Sequence, residues 1–267
     1  MQNILEGLNE KQKEAVANYD GPSLVIAGAG SGKTKVLTHK IAYLIEEKNI
    51  KPWNILAITF TNKAANEMNT RIEKLIGEAS KEMWIGTFHS VCVRILRRYI
   101  DRIGFDKSFV IFDTYDQRSV IKQCLKELNI DDKLFTDRGV LAEISNAKNE
   151  MLTPETYTVR ANGEYRKEKI SKIYELYQKK LKQNNSLDFD DIINYTIQVL
   201  GENPDALEYY QEKFKYILVD EYQDTNKAQF TLIMMLSARH GNITVVGDSD
   251  QRHIFFQRCR YNKYSEF

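Results

Sequence analysis

Ser23-Leu24-Val25-Ile26-Ala27 runs straight into Gly28-Ala29-Gly30-Ser31-Gly32-Lys33-Thr34, and a helical run from Lys35 to Glu46 follows. A β-rich run, a loop of small residues and a helix, in that order, leave the chain few options. The loop can turn its successive N–H groups toward a single anion at the positive end of the helix. Lys33 has the reach for the β- and γ-phosphates of a nucleotide, and the Thr34 hydroxyl for Mg²⁺. Ala27, Gly28, Ala29, Gly30, Ser31, Gly32, Lys33 and Thr34 are therefore the expected phosphate-binding stretch. Ala27 stands where the strict pattern has its first glycine, which costs little if that residue keeps an extended backbone. A plain tight turn is the other reading of such a loop, and the flanking strand and helix argue against it.

A phosphate loop needs a second, acidic element, and Ile217-Leu218-Val219-Asp220-Glu221 supplies one at the end of an apolar run. Asp220 is placed to support Mg²⁺ through water and Glu221 to polarise an attacking water. By itself the run reads equally well as a strand meeting solvent. Together with the loop it predicts hydrolysis of a nucleoside triphosphate, with ATP and Mg²⁺ as cofactors.

Hydrophobic periodicity predicts an α/β fold. Ser23–Ala27, Ile55–Thr59, Met83–Gly86 and Phe109–Phe112 read as strands with amphipathic stretches between them, the pattern of a parallel sheet covered by helices. From Thr114 to Gln183 strand signals nearly vanish, and the spacing of Val120, Ile121, Leu125 and Leu128 is helical. Strands resume at Tyr216–Val219 and Ile243–Val246, with a helix near Ala228–Ser237 between them. The expected division is residues 1–113 for the first part of the sheet domain, 114–186 for an all-helical insertion, 187–251 for the second part and 252–267 for a divergent tail.

The net charge of +1 means that any nucleic-acid surface must be local. Cys92, Cys124 and Cys259 are far apart and odd in number, against a disulfide framework or a zinc site. Residues Met1 to Asn9 lack the pattern of an export signal, and no apolar run approaches membrane-spanning length. A cytoplasmic chain with no membrane contact is the expectation.

Further motifs stand between and around the two nucleotide elements. They are Leu8-Asn9-Glu10-Lys11-Gln12, Ala57-Ile58-Thr59-Phe60-Thr61-Asn62-Lys63-Ala64-Ala65, Gly86-Thr87-Phe88-His89-Ser90, Leu187-Asp188-Phe189-Asp190-Asp191, Asp220-Glu221-Tyr222-Gln223-Asp224-Thr225-Asn226 and Val246-Gly247-Asp248-Ser249-Asp250-Gln251. In this order they resemble the superfamily 1 helicases of the UvrD/PcrA/Rep group along essentially the whole chain up to Gln251. The resemblance implies a RecA-like ATP-binding domain interrupted by a helical insertion, taken from a 3′-to-5′ DNA helicase. It implies that Gln12 reads the adenine, whose edge an amide can both donate to and accept from. It also implies that Gln251 senses the γ-phosphate and joins Lys33 and Glu221 in the catalytic set.

The segments at Thr59 and Thr87 leave strands and open helices, at the sheet end where parallel α/β folds bind ligands. Hydroxyls and helix-start amides there can grip phosphates, and an aromatic ring can stack on an unpaired base. Read from residue type alone, Phe60 and Phe88 are core and His89 is a helix-start hydrogen bonder. The resemblance makes Thr59, Phe60, Asn62, Thr87, His89 and Phe189 the expected contacts to single-stranded DNA and to single/double-strand junctions, with accessory repair or replication proteins as further partners. Two basic stretches, around Arg94 to Arg98 and from Arg166 to Lys182, read as solvated helix faces that could also touch duplex DNA.

After Gln251 the family pattern breaks, and the chain reads Arg252-His253-Ile254-Phe255-Phe256-Gln257-Arg258-Cys259-Arg260-Tyr261 before ending at Phe267. Back-translated as AGG CAT ATA TTC TTT CAG AGG TGC AGA TAT, with one G deleted from the first codon, it yields Ser-Ile-Tyr-Ser-Phe-Arg-Gly-Ala-Asp-Ile, the segment that the family carries there. The sequence thus leads to the expectation of a frameshifted tail on the ATP-binding half of a motor, inactive in unwinding as it stands. A nucleotide- and DNA-binding module without motor activity and a P-loop small-molecule kinase are the rival readings. Reading the gene checks the frameshift: codons for Arg252 to Tyr261 that no single deletion turns into the family segment dispose of it.

Overall fold

The computed structural model describes residues 4–28 and 30–248. Ala29, Gln251 and the tail 252–267, all singled out above, lie outside the described residues. Strands form where β-branched and aromatic residues meet turn signals: β1 (Ser23–Ile26), β2 (Ile55–Thr59), β3 (Trp84–Thr87), β4 (Val110–Ile111), β5 (Ser186–Leu187), β6 (Tyr216–Val219) and β7 (Ile243–Gly247). The helices are α1 (Glu10–Ala17), α2 (Lys33–Glu46), α3 (Asn62–Ile76), α4 (Phe88–Tyr99), α5 (Thr114–Glu127), α6 (Asp137–Asn149), α7 (Pro154–Ala161), α8 (Tyr165–Gln183), α9 (Phe189–Glu202), α10 (Pro204–Lys213) and α11 (Lys227–Ser237). No helix among the described residues is long and apolar enough to cross a membrane. The described residues divide into two compact units, one within 4–88, 207–225 and 233–248, the other His89–Ala206 and Asn226–Leu232.

The first unit is built on a five-stranded sheet in the order β1-β7-β6-β2-β3, and every pairing in it is parallel. Parallel sheets are covered on both faces, so their inner strands are apolar throughout. Accordingly β2 and β6 are buried at every position. One face packs Ile55, Ala57, Tyr216, Leu218 and Val246 against Leu37, Ile41 and Leu44 of α2 and Met68 and Ile72 of α3. Helix α1 lays Val16 on Val36 of α2 together with Leu8. Near β3, Trp84 meets Phe214 edge-on at 5.1 Å, and Phe214 stacks on Tyr210. The strand order has a functional consequence: β7 lies between β1 and β6, so the exits of all three stand side by side at one sheet edge.

The second unit is mostly helical. Its core joins Val120, Ile121, Cys124 and Leu125 of α5, Val140, Ile144 and Ala147 of α6, and Ile170, Ile173, Tyr174, Tyr177 and Leu181 of α8. Several helix starts carry a polar side-chain cap that takes up otherwise orphaned N–H groups, whereas α8 begins without one. Asp113 caps α5, Thr136 caps α6, and Thr153 caps α7 with Pro154 at its first position. The run Phe109–Phe112 does form a strand at Val110–Ile111, but it belongs to a separate two-stranded sheet with β5 and not to the main sheet. Phe109 is buried beside an exposed Val110, and a run of four apolar residues leaves the partner strand unspecified.

At the start of α9, Asp188 and Asp191 cap the helix reciprocally, each accepting from the other's backbone N–H. Their remaining oxygens take the ammonium of Lys148, with Nζ 2.6 Å from Asp188 Oδ2 and 2.7 Å from Asp191 Oδ1. Tyr177 donates to Asp188 and Gln178 to Asp191. All three charged residues are buried. Burial disfavours the Lys148 ammonium, but the two carboxylates beside it hold it protonated well above its usual range. Burial and the adjacent Asp188 raise Asp191 above the usual carboxylate range. Lys148→Ala leaves these carboxylates buried without their cation and should destabilise the chain by about 3–5 kcal/mol. Urea unfolding followed by circular dichroism measures this, and a loss below about 1 kcal/mol would mean that the cluster behaves as a surface pair.

Candidate functional site

The β1 exit is anchored by the Ala27 N–H, which donates to the Gly247 carbonyl at 3.1 Å. Beyond it the loop folds back on itself: the Ser31 N–H and Oγ both donate to the Gly28 carbonyl, at 3.2 and 2.6 Å. Gly32 takes φ 85° and ψ 27° at the start of α2, a left-handed conformation that favours glycine, and no side chain caps the helix there. A Cβ at Gly32 would also stand 2.9 Å from Gln12 Nε2. The α2 amides and the positive helix end thus face the loop, the arrangement that receives a phosphate.

Gln12 does two things at once. Its Oε1 accepts from the Asn9 N–H at 3.0 Å in the capping box of α1, and its Nε2 donates to the Ser31 carbonyl at 3.0 Å. A carboxamide has two N–H donors and two acceptor lone pairs, so one of each is still open for a purine edge.

Opposite the loop, β6 ends at Asp220, whose N–H donates to the Ile58 carbonyl of β2. Asp220 Oδ2 accepts from Thr34 Oγ1 at 3.0 Å, and its Oδ1 from the Glu221 N–H at 3.0 Å. Asp220 is buried, which raises its carboxyl above the usual carboxylate range against the pull of the Thr34 hydroxyl. Glu221 turns the chain with φ 48° and ψ 40°. The Lys33 ammonium faces two carboxylates, 3.5 Å from Glu221 Oε2 and 3.6 Å from Asp248 Oδ2. These groups line an open cleft of about 420 Å³ with Gly30, Gly32 and Thr34.

Among the described residues no group of three or more His, Cys, Asp or Glu side chains could hold a metal. The donor set suits a cation that takes one or two protein oxygens and completes its shell from phosphates and water, as Mg²⁺ does. Arg71, on α3, also borders the cleft and pairs with Glu67. The sequence carries no signal of this, because a Glu and an Arg four apart on a helix read as a surface pair. Nor does any local signal place the Asp248 carboxylate beside Lys33.

The other expected contacts fall into two groups. In the sheet unit, Thr59 and Thr87 are register partners at the ends of β2 and β3. Both are buried, and the Thr59 hydroxyl donates to the Thr61 carbonyl at 3.1 Å. Thr61 caps α3, whose first residue, Asn62, is exposed. Phe60 is half-buried and meets the buried Phe88 ring edge-on at 5.5 Å. In the helical unit, Phe189 opens α9 with 47% of its surface exposed, so its ring is open to a stacking partner. His89 lies edge-on to it at 5.8 Å and hydrogen-bonds its backbone, and burial holds the imidazole below its ordinary pKa. Cys92 and Cys124 are buried thiols whose pKa burial pushes up to about 12, which leaves them poor nucleophiles.

Residues 8–267 match the model of the UvrD/REP helicase N-terminal domain. The chain is 58% identical over 248 residues to the ATP-dependent DNA helicase PcrA of Bacillus subtilis, covering 93% of this chain and 33% of that protein. It is 54% identical over 251 residues to the PcrA of Staphylococcus epidermidis and 53% identical over the same length to that of Staphylococcus aureus. The chain spans about a third of the length of these relatives. A glycine loop on β1, an acidic turn on β6 and a match that runs over nearly every residue together establish that this chain belongs to the UvrD/REP helicase N-terminal domain family.

Proposed function

We propose that this chain forms the ATP- and single-stranded-DNA-binding part of an ATP-dependent DNA helicase, of the 3′-to-5′ type that its family resemblance implies. The observation that carries the reading is the Thr34–Asp220 hydrogen bond, with Thr34 lining one cleft together with Lys33 and Glu221. A hydroxyl and a carboxylate in contact make a seat for Mg²⁺. An ammonium between loop and acids neutralises phosphate charge. A carboxylate beyond it, half open to solvent, can orient water for in-line attack.

The roles then distribute as follows. The loop from Ala27 to Thr34 cradles the phosphates, with Lys33 on the terminal pair. Thr34 and Asp220 support Mg²⁺, and Glu221 polarises the water. Gln12 offers its open donor and acceptor to the adenine, and Gln251, outside the described residues, reads the γ-phosphate. Bound nucleotide supplies the phosphoryl group and, with Mg²⁺, the charge that Lys33 and the α2 amides are arranged to meet. Thr59, Phe60, Asn62 and Thr87 in the sheet unit, and His89 and Phe189 in the helical unit, are the proposed contacts to unpaired DNA and to junctions. The relatives named above are helicases. Strand separation by a helicase of which this chain is one part, accessory partners and a cytoplasmic setting are proposals on that basis, as is the lack of unwinding by this chain alone.

Lys33→Ala removes the cation facing the phosphates, so affinity for a fluorescent ATP analogue should fall. Glu221→Gln keeps the side chain's shape, so binding should survive while hydrolysis falls by roughly 10²–10⁴-fold, the range for a general base. Lost binding with unchanged turnover per bound ATP would reverse the two assignments. Turnover that rises with single-stranded DNA separates a DNA-coupled motor domain from a plain nucleotide-binding module.

Phe60→Ala should weaken binding to a single-stranded oligonucleotide by roughly 1–3 kcal/mol, the value of one stacked base. The circular dichroism spectrum should stay unchanged. Loss of the fold along with binding would make Phe60 a core residue.

A further inference from the structure

Glu221 stands in the left-handed backbone region, which side-chain-bearing residues avoid and which persists only where neighbouring contacts enforce it. Backbone bonds fix its two ends: its N–H donates to Asp220 Oδ1, and its carbonyl accepts from the Asp224 N–H at 3.0 Å. Neither fixes the carboxylate itself. That falls chiefly to Gln223, whose Nε2 donates to Glu221 Oε2 at 2.6 Å and lies 3.4 Å from Asp224 Oδ2, with the Lys33 ammonium farther off at 3.5 Å from the same Glu221 oxygen. The other end of the same carboxamide is engaged as well, since Oε1 accepts from the Asp248 N–H at 3.1 Å. The two partners determine which way the amide points. Flipped, it would set an N–H against the Asp248 N–H and an oxygen against a carboxylate.

The end of β7 is shaped to admit this contact. A Cβ added at Gly247 would lie 3.0 Å from Gln223 Oε1 and 3.6 Å from the Gln223 nitrogen. Gly247 has no positive φ, so glycine is needed there for space and not for conformation. The Gly247 carbonyl also receives the Ala27 N–H from the phosphate-loop strand. One carboxamide therefore ties the acid at the β6 exit to the β7 exit, and through Gly247 to the β1 exit.

We propose that Gln223 is a positioning residue for hydrolysis: it holds one oxygen of Glu221 and leaves the other to orient the attacking water, in register with the β7 turn. This rests on the reading of Glu221 as the water-polarising acid. A carboxylate with this much solvent access otherwise samples several rotamers, and misplacing a reacting group by about 1 Å can cost 10²-fold in rate.

Two substitutions separate positioning from mere support of the turn. Gln223→Glu keeps the length and can still accept from the Asp248 N–H, but it cannot donate to Glu221. Gln223→Leu does neither. Each is to be compared with the parent chain and with Glu221→Gln, by thermal melting, by affinity for a fluorescent ATP analogue, and by single-turnover hydrolysis with protein in excess over labelled ATP, which reads slow rates. Both Gln223 variants should hydrolyse ATP about 10- to 100-fold more slowly, with analogue affinity held within about twofold. Gly247→Ala, which crowds the amide oxygen, should also slow hydrolysis, and should add little in a Gln223→Ala background where its clash partner is gone.

Parental hydrolysis in Gln223→Glu, or losses no larger than the drop in folded fraction, would overturn the proposal while leaving Glu221 in its role. A Glu221→Gln chain as fast as the parent would instead overturn the reading of Glu221, and the proposal with it.

Discussion

The hydrogen bond from the Thr34 hydroxyl to the Asp220 carboxylate is the contact on which the rest of the nucleotide site depends. It joins the first turn of α2 to the exit of β6, which lie far apart in sequence and are brought to one place because β1, β7 and β6 are parallel neighbours in the sheet. Parallel strands end at the same edge of a sheet, and that edge is where such folds place their ligands. Once Thr34 meets Asp220, Lys33 must face Glu221 and Asp248, because all five project from the same three strand exits. The site is thus a property of strand order before it is a property of any one residue.

The helical unit solves a different electrostatic problem. Two aspartates close the start of α9, where the helix dipole favours negative charge. Their burial would be costly without a cation, and Lys148 from α6 supplies one within hydrogen-bonding reach of both. The cluster holds the first turn of α9 in place, and with it the exposed ring of Phe189. Asn149, the next residue of α6, accepts from Asn226 at 2.5 Å, and Asn226 in turn caps α11 reciprocally with Gln229. The helix end that carries the buried cation therefore also meets the residue that closes the acidic motif.

Much of this was legible in the sequence, because the signals were local. The glycine loop between a β-rich run and a helix, the apolar run ending in Asp220 and Glu221, and the amphipathic spacing of α5, α6 and α8 each rest on residues within one or two turns of each other. Strand positions were readable to within a residue at β2 and β6, where runs of buried aliphatic residues leave no ambiguity. Phe109–Phe112 shows the limit. Its run of aromatic and β-branched residues announced a strand, yet the partner, Ser186–Leu187, is two residues long and carries no strand pattern of its own.

The sequence by itself determined the element types, the order of the motifs and the chemistry of the phosphate loop and the acidic turn, because periodicity, glycine content and charge act over short spans. Only the tertiary structure decided that Asp248 faces Lys33, that Gln223 spans Glu221 and the Asp248 N–H, that Gln12, expected to read the adenine, also donates to the Ser31 carbonyl of the loop, and that Lys148 is a buried counter-ion and not one more surface lysine. These contacts join residues from different strands and helices. Their geometry is set by strand order and by the cost of burying charge without a partner, and neither is encoded within a single stretch of the chain.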